Sequence, residues 1–414
     1  MKIIKGIFLI FLIAAVFLSS SYALISSGID KTVVVFYNLV SEVESYIMKM
    51  SRVTEVQYEE YYELEPEFDA AYNSLNNNQK QIYKKLYAIS QKMPDGYIKL
   101  LKKYDNIKKD VAVAYNALLY DRAEIFWMPR TYILSEYTVG NSTYSIIAFN
   151  YESENVSTSY TVPKAERAKM QKKLDEVVEQ ILKNSDGYKG DFYKEQYFND
   201  YLCENVEYVR DGLLVGTAYG ALVENKAQCE GYSKAFKLLC NSVGIECDLV
   251  CGVAEGEGHM WNVVNIDGVH SYVDVTWNDR SEYKSYLYFN LTKAQIEYDH
   301  EFAPLHKDLT YEQLKNSSFN FIDRDATFTG NTYYQKYGFI LSLDYAKPAA
   351  DKIVERCASG IKTAEFIFTS KTALSEFQKS NMEFISNIQK YLLDIKIKSY
   401  AFERDVLILY YDYK

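Results

Sequence analysis

The chain has 414 residues, 48% of them apolar and 25% charged, which is the balance of a folded protein and too long for one ordinary core, so two or three domains are expected. Its net charge is −10 and no dense Lys/Arg cluster interrupts it, so no nucleic-acid partner is expected. The 40 tyrosines read as framework.

Residues 1–23, MKIIKGIFLIFLIAAVFLSSSYA, place two lysines before an apolar run from Gly6 to Leu18, with small residues around 21–23. That is the pattern of a secretory signal peptide. An uncleaved membrane anchor is the alternative, because Ala23 to Ile25 lengthen the run towards the roughly 20 residues of a span. The body of the chain is therefore expected to be secreted or at the cell surface, touching membrane only through an uncleaved N-terminal segment.

Residues 24–125 read as a helical N-terminal region. Ile82, Leu86 and Ile89 recur at helical spacing, and Leu100, Leu101, Tyr104 and Ile107 continue it. Residues 126–162 are richer in Thr, Tyr, Ile and Val around Gly140-Asn141 and read as a β-hairpin or small meander. A core is expected over 163–310. It begins with a helix carrying Leu174, Val177, Val178, Ile181 and Leu182 on one stripe. Residues 330–414 read strand, helix, strand: a small C-terminal α/β appendage.

The cysteines fall at 203, 229, 240, 247, 251 and 357. Their spacing is not a disulfide framework. Cys247, Cys251 and His259 lack the compact two-plus-two spacing of a zinc site, so no metal and no cofactor is expected.

In KAQCEGYSKAFKLLC, residues 226–240, the positions Tyr232, Ala235, Phe236, Leu239, Cys240 and Val243 form one apolar stripe that stops at Gly244. Cys240 lies inside the stripe and reads as core. Cys229 lies three residues before Tyr232, at the first turn, where the positive end of the helix dipole and free N–H groups favour a thiolate. Glu230 in the same turn opposes that, so a histidine partner is required.

GHMWNVVNIDGVHSYVDVTWND supplies one. Two alternating runs flank Asp267-Gly268, a dipeptide suited to a two-residue hairpin turn. With that turn Ile266 faces Val269 and Trp261 faces Asp274. His259 then shares a sheet face with Trp261 and is the diagonal neighbour of Asp274. A nucleophile, a base and an orienting carboxylate are the parts of a cysteine triad. Residue types and spacing alone leave three unrelated residues as an open alternative.

The blocks AYGALVENKAQCEGYSKAFKLLCNSVGIECDLVCG, GHMWNVVNIDG and YVDVTWND, within about residues 195–290, resemble the transglutaminase-like superfamily, in particular its bacterial extracellular branch. The resemblance implies an α+β fold with a papain-like core: a helix bearing the cysteine packed on an antiparallel sheet bearing histidine and aspartate. It also implies Cys229 as nucleophile, His259 as base and Asp274 as orienting acid. Asn199 stands where related chains often carry histidine, which points to an altered substrate contact. Gln228 and Tyr219 are side-chain candidates for an oxyanion site, after the Cys229 N–H itself. His270 reads as a turn neighbour, His300 and His306 as members of a polar loop, and Trp261 and Trp277 as packing beneath the site.

The expected activity is attack by Cys229 on amide bonds of protein or cell-wall peptides. Water resolves the acyl-enzyme in a peptidase or amidase, and an amine does so in a transglutaminase. The alternative is a non-catalytic surface binding or assembly protein on the same scaffold.

Overall fold

The computed structural model describes residues 53–55, 68–102, 106–139, 142–149, 161–280, 283–327, 333–368 and 370–414. The segment read as a signal peptide lies outside them. No helix among the described residues is long and apolar enough to cross a membrane.

The N-terminal region mixes helices with a sheet. Strand β1 (Val53–Glu55) is followed by helix α1 (Asn77–Lys92), whose start is fixed by a capping box in which Asn76 and Gln79 satisfy each other's backbone N–H. It ends at Met93, in the left-handed conformation, just before Pro94. Past that break the expectation of continued helix fails: Tyr97–Lys102 is strand β2, and only Ile107 begins the next helix, α2 (Ile107–Asp121). Strand β2 finds its partner almost fifty residues on. Strands β3 (Tyr132–Val139) and β4 (Ser142–Phe149) form the expected hairpin, and Ile98 and Lys99 of β2 pair with Ile147 and Ile146 of β4. The hairpin is half of one sheet, ordered β1-β2-β4-β3.

Helices α3 (Lys164–Ser185), α4 (Asp191–Asn205), α5 (Ala218–Val223) and α6 (Cys229–Ser242) open the core. The α6 stripe is where the sequence places it: Tyr232, Ala235, Phe236, Leu239 and Cys240 are all fully buried. Burial of Phe236 and Leu239 stabilises the packing by roughly 2 kcal/mol each. The stripe faces an antiparallel sheet of β5 (Cys247–Ala254), β6 (Glu257–Ile266), β7 (Val269–Val273) and β8 (His300–Phe302), ordered β8-β5-β6-β7. Asp267 and Gly268 both take positive φ, 53° and 83°, as a two-residue hairpin turn requires. Ile266 faces Val269 and Asn262 faces Val273, so the register is the one read from the sequence. Lys237 on α6 pins helix to sheet from a buried position, donating to the Cys247 carbonyl at 2.7 Å and to Asp248 at 3.1 Å.

Strand β8 corrects the reading of residues around His300 as a polar loop. It is three residues long and has no alternating run to announce it. It is held by β5, where Phe302 pairs with Gly252 and His300 with Ala254. His306 is likewise buried, in a short 3-10 turn with its ring against Phe321.

At the C-terminus the structure is richer than strand, helix, strand. Strands β9 (Ile340–Leu341), β10 (Thr363–Phe368), β11 (Ile395–Glu403) and β12 (Val406–Tyr413) form a sheet ordered β9-β10-β12-β11, with an unexpected helix at Ala346–Ala358. The last run read as one strand is a hairpin that reverses at Arg404-Asp405, Arg404 having φ 56°. This unit is docked on the core. Glu365 accepts from the Ser285 hydroxyl at 2.5 Å and the Tyr286 amide at 2.9 Å, and Arg280 meets Glu403 at 2.7 Å.

Gly252 sets how closely β8 approaches. A Cβ there would lie 1.9 Å from the Glu301 carbonyl oxygen and 2.6 Å from the Trp261 ring, and a backbone atom cannot swing aside. Gly252→Ala is expected to destabilise the protein by about 1–3 kcal/mol in chemical denaturation. A change below about 0.5 kcal/mol would show that β8 is not held by that contact.

Candidate active site

Cys229 begins α6, with Gln228 as N-cap residue. The Gln228 carbonyl accepts from the amides of Gly231 and Tyr232. The Cys229 and Glu230 amides come before these, at a helix end where N–H groups have no carbonyl one turn back. They are the donors nearest the thiol for a developing oxyanion.

His259 lies on β6 and Asp274 one residue beyond β7. Across the hairpin His259 Nε2 meets Asp274 Oδ2 at 2.7 Å. With Nε2 taken, Nδ1 is the ring nitrogen left for the Cys229 thiol. Burial opposes charge on His259, but Asp274 and then Cys229 outweigh it and push the ring's pKa up to about 10. Asp274 is fully buried. Burial acts to neutralise it, yet His259 and His300 hold its carboxyl well below the usual carboxylate range. Its other oxygen, Oδ1, accepts from the Trp277 amide at 3.2 Å. At neutral pH the site thus holds an imidazolium against a carboxylate, beside a thiol at a helix N-terminus.

The charge on Glu230 has an answer that the sequence did not show. Lys234, one turn along α6, bonds its Oε1 at 2.8 Å, and Arg130, a hundred residues away in the chain, bonds its Oε2. Although burial works to raise it, Lys234 and Arg130 keep the Glu230 carboxyl below its usual range. The carboxylate is paired with two cations, and its opposition to a neighbouring thiolate is offset.

The remaining candidates divide. The Gln228 side chain lies over Gly216 together with Arg130 and Glu230, close to the first turn of α6. Tyr219 is buried in α5 with its ring against Phe126 at 4.6 Å, so it is committed to core packing. Asn199 is fully buried and accepts from the Asn278 side chain at 3.0 Å. It braces the turn after Asp274 instead of facing a substrate. Trp261 and Trp277 pack against His259, with ring centroids at 6.0 and 5.6 Å. Cys240 and Cys247 are core, and Cys251 hydrogen-bonds the Tyr120 hydroxyl of α2 at 2.5 Å. His270 lies near the turn, its Nε2 3.9 Å from Glu246.

Sequence reading missed His300. It is buried, its Nε2 is 3.1 Å from the same Asp274 Oδ2, and its Nδ1 is 2.6 Å from Asp299 Oδ1. The only signal in the sequence is the Asp-His pair itself. The ligand atoms of His259, Asp274 and His300 lie within 4.8 Å of one another, near enough to hold a metal ion. Bonds of 2.0–2.1 Å put tetrahedral ligands about 3.3–3.4 Å apart, whereas the two N···O separations are 2.7 and 3.1 Å, those of hydrogen bonds.

A cleft of about 750 Å³ opens by the first turn of α6, and neither Cys229 nor His259 lines it. Tyr115 and Tyr120 of α2, Arg130, Glu230, Met260 and Tyr311 line it. It lies between the N-terminal region and the core, and two of its walls, Glu230 and Met260, are the chain neighbours of Cys229 and His259.

Residues 176–286 match the family model of the transglutaminase-like superfamily. No curated protein matches the chain. Among solved structures it is similar to a TGase at 16% identity, over 44% of this chain and 51% of that one, with a TM-score of 0.25. It is also similar to a protein of Cytophaga hutchinsonii described as a candidate cysteine protease, at 17% identity over 35% of this chain and 64% of that one, TM-score 0.23. A third, a candidate protease of Parabacteroides distasonis, is 14% identical over 35% of this chain and 36% of that one, TM-score 0.21. The chain thus spans less than two thirds of each of these proteins.

The Asp274 contact predicts how His259 titrates. In an NMR pH titration the wild-type ring should still be protonated at about pH 8. In Asp274→Asn it should be neutral there, since the charge that raises its pKa is gone. An unchanged titration would mean that Asp274 does not control the base.

Proposed function

Starting from a chain that carries a transglutaminase-like domain at residues 176–286, we propose that this protein is a cysteine enzyme that cleaves or exchanges amide bonds through an acyl-enzyme on Cys229. One observation carries the reading: the buried Asp274 carboxylate holds the His259 ring at 2.7 Å across the hairpin, with the Cys229 thiol at the start of α6 near enough to add to the ring's positive charge.

The steps follow from that arrangement. The Cys229 thiolate attacks the amide carbonyl carbon, and the oxyanion meets the first amides of α6. The C–N bond breaks as the His259 imidazolium gives its proton to the departing ammonia or amine. His259, now neutral, takes a proton from water or from an incoming amine, which attacks the thioester. The C–S bond breaks and the thiolate returns. Asp274 holds the ring through Nε2 and stabilises its charge in both halves.

The neighbouring cleft accommodates an extended peptide. Its tyrosines offer broad contact surfaces, and its paired charges offer hydrogen bonds to a polar backbone. With a leader at residues 1–23, the substrates would be proteins or cell-wall peptides outside the cytoplasm.

The deciding experiment offers a glutamine-containing peptide with and without a primary amine and compares wild type with Cys229→Ala. Ammonia release by wild type alone identifies hydrolysis, and amine incorporation identifies transamidation. Both should vanish in Cys229→Ala. Equal, slow alkylation of Cys229 and the buried cysteines, unchanged by His259→Ala, would sink the enzyme reading in favour of a binding scaffold.

A further inference from the structure

His300 is used by none of the steps above, yet its side chain is wholly buried against the catalytic cluster. Its ring centroid is 5.5 Å from that of His259 and 4.5 Å from that of Trp277. Both of its nitrogens face carboxylates: Nε2 faces Asp274 Oδ2 at 3.1 Å and Nδ1 faces Asp299 Oδ1 at 2.6 Å. An ionised carboxylate only accepts hydrogen bonds. A neutral imidazole would turn a lone pair on one of the two, whereas an imidazolium donates to both.

Asp299 is supported in turn. The Tyr288 hydroxyl donates to its Oδ2 at 2.9 Å. Arg404, from the β11–β12 turn of the C-terminal unit, brings a guanidinium nitrogen to 3.7 Å and lies over the Tyr288 ring at 4.8 Å. From the C-terminal unit inwards, Arg404, Asp299, His300, Asp274 and His259 alternate in sign. Asp274, Asp299 and His259 are the charged groups facing His300. Tyr288, the titratable group beside them, is kept neutral by its burial.

We infer that His300 is a positioning residue of the proposed reaction, held as an imidazolium between Asp299 and Asp274, and that the C-terminal unit takes part in the site through Arg404. The second N–H on Asp274 Oδ2 fixes the carboxylate that orients His259. The positive charge adds to the potential that favours a thiolate at Cys229. Burial opposes that charge, and the two carboxylates outweigh it. The inference rests on Cys229 being the nucleophile.

The test is the rate of iodoacetamide alkylation of Cys229 against pH, read by peptide mass spectrometry on the full-length protein. In His300→Gln the acid limb should move to higher pH, so that at a fixed pH on that limb Cys229 reacts about three- to tenfold more slowly. A side chain that only fills space would not move the limb. A second measurement needs no variant: ¹⁵N NMR of the histidine-labelled wild type should find both His300 nitrogens protonated near neutral pH. Superposed alkylation profiles, or a neutral His300 ring, would overturn the inference. If His300→Gln does not fold, the wild-type spectrum decides. Loss of selective Cys229 labelling in the wild type would instead overturn the enzyme reading, and the spectrum would still report on His300.

Discussion

The Asp274 carboxylate is the constraint around which the core is arranged. It is fully buried and lies where one oxygen, Oδ2, takes two imidazole N–H groups and the other takes a backbone amide. A buried carboxylate is tolerable only with partners of this kind. The partners come from three places: His259 on β6, His300 on β8 and the Trp277 amide in the turn that follows Asp274 itself. If the β6–β7 register slipped by one residue, His259 would point to the other face of the sheet. If β8 lifted from β5, one of the two rings would leave. Gly252 permits the close contact that keeps β8 down, and Trp261 fills the space beneath both rings.

The same arrangement suits the proposed chemistry because it separates charges in fixed positions. An imidazolium raised to about 10 remains charged through the neutral range, so a thiolate beside it has a permanent counter-ion. The nearest competing negative charge, Glu230, is held between Lys234 and Arg130. In the proposed reaction the amides at the start of α6 serve the oxyanion and His259 serves as base, while the cleft beside Glu230 opens one residue along the helix from the sulfur. None of these elements is unusual alone. Their convergence makes a cysteine nucleophile a coherent reading and a purely structural cysteine at that position a poor one.

Sequence and structure part company where contacts are distant. The apolar residues of Tyr97–Lys102 fit a helical stripe, but Pro94 ends the helix and β4 offers a ladder of hydrogen bonds. His300 and its neighbours looked like polar loop for a similar reason. A three-residue edge strand has too few positions to show alternation, and its burial depends on β5 and on aromatic rings from elsewhere in the chain. Asn199 drew attention as a departure at a substrate contact, whereas its amide is a buried brace for Asn278.

What local periodicity can encode was legible along the chain. It marked the apolar stripe of α6, the thiol at its first turn, and the Asp267-Gly268 turn, which fixes the β6–β7 register and therefore brings His259 to Asp274. Those relations depend on 3.6-residue and two-residue repeats and on a two-residue turn, all of them readable along the chain. That Arg130 offsets Glu230, that His300 shares the Asp274 oxygen and that Arg404 stands behind Asp299 emerges from packing alone. Each is a pairing of buried charge across sequence-distant elements. Such pairings follow from three-dimensional packing and leave no period in the sequence.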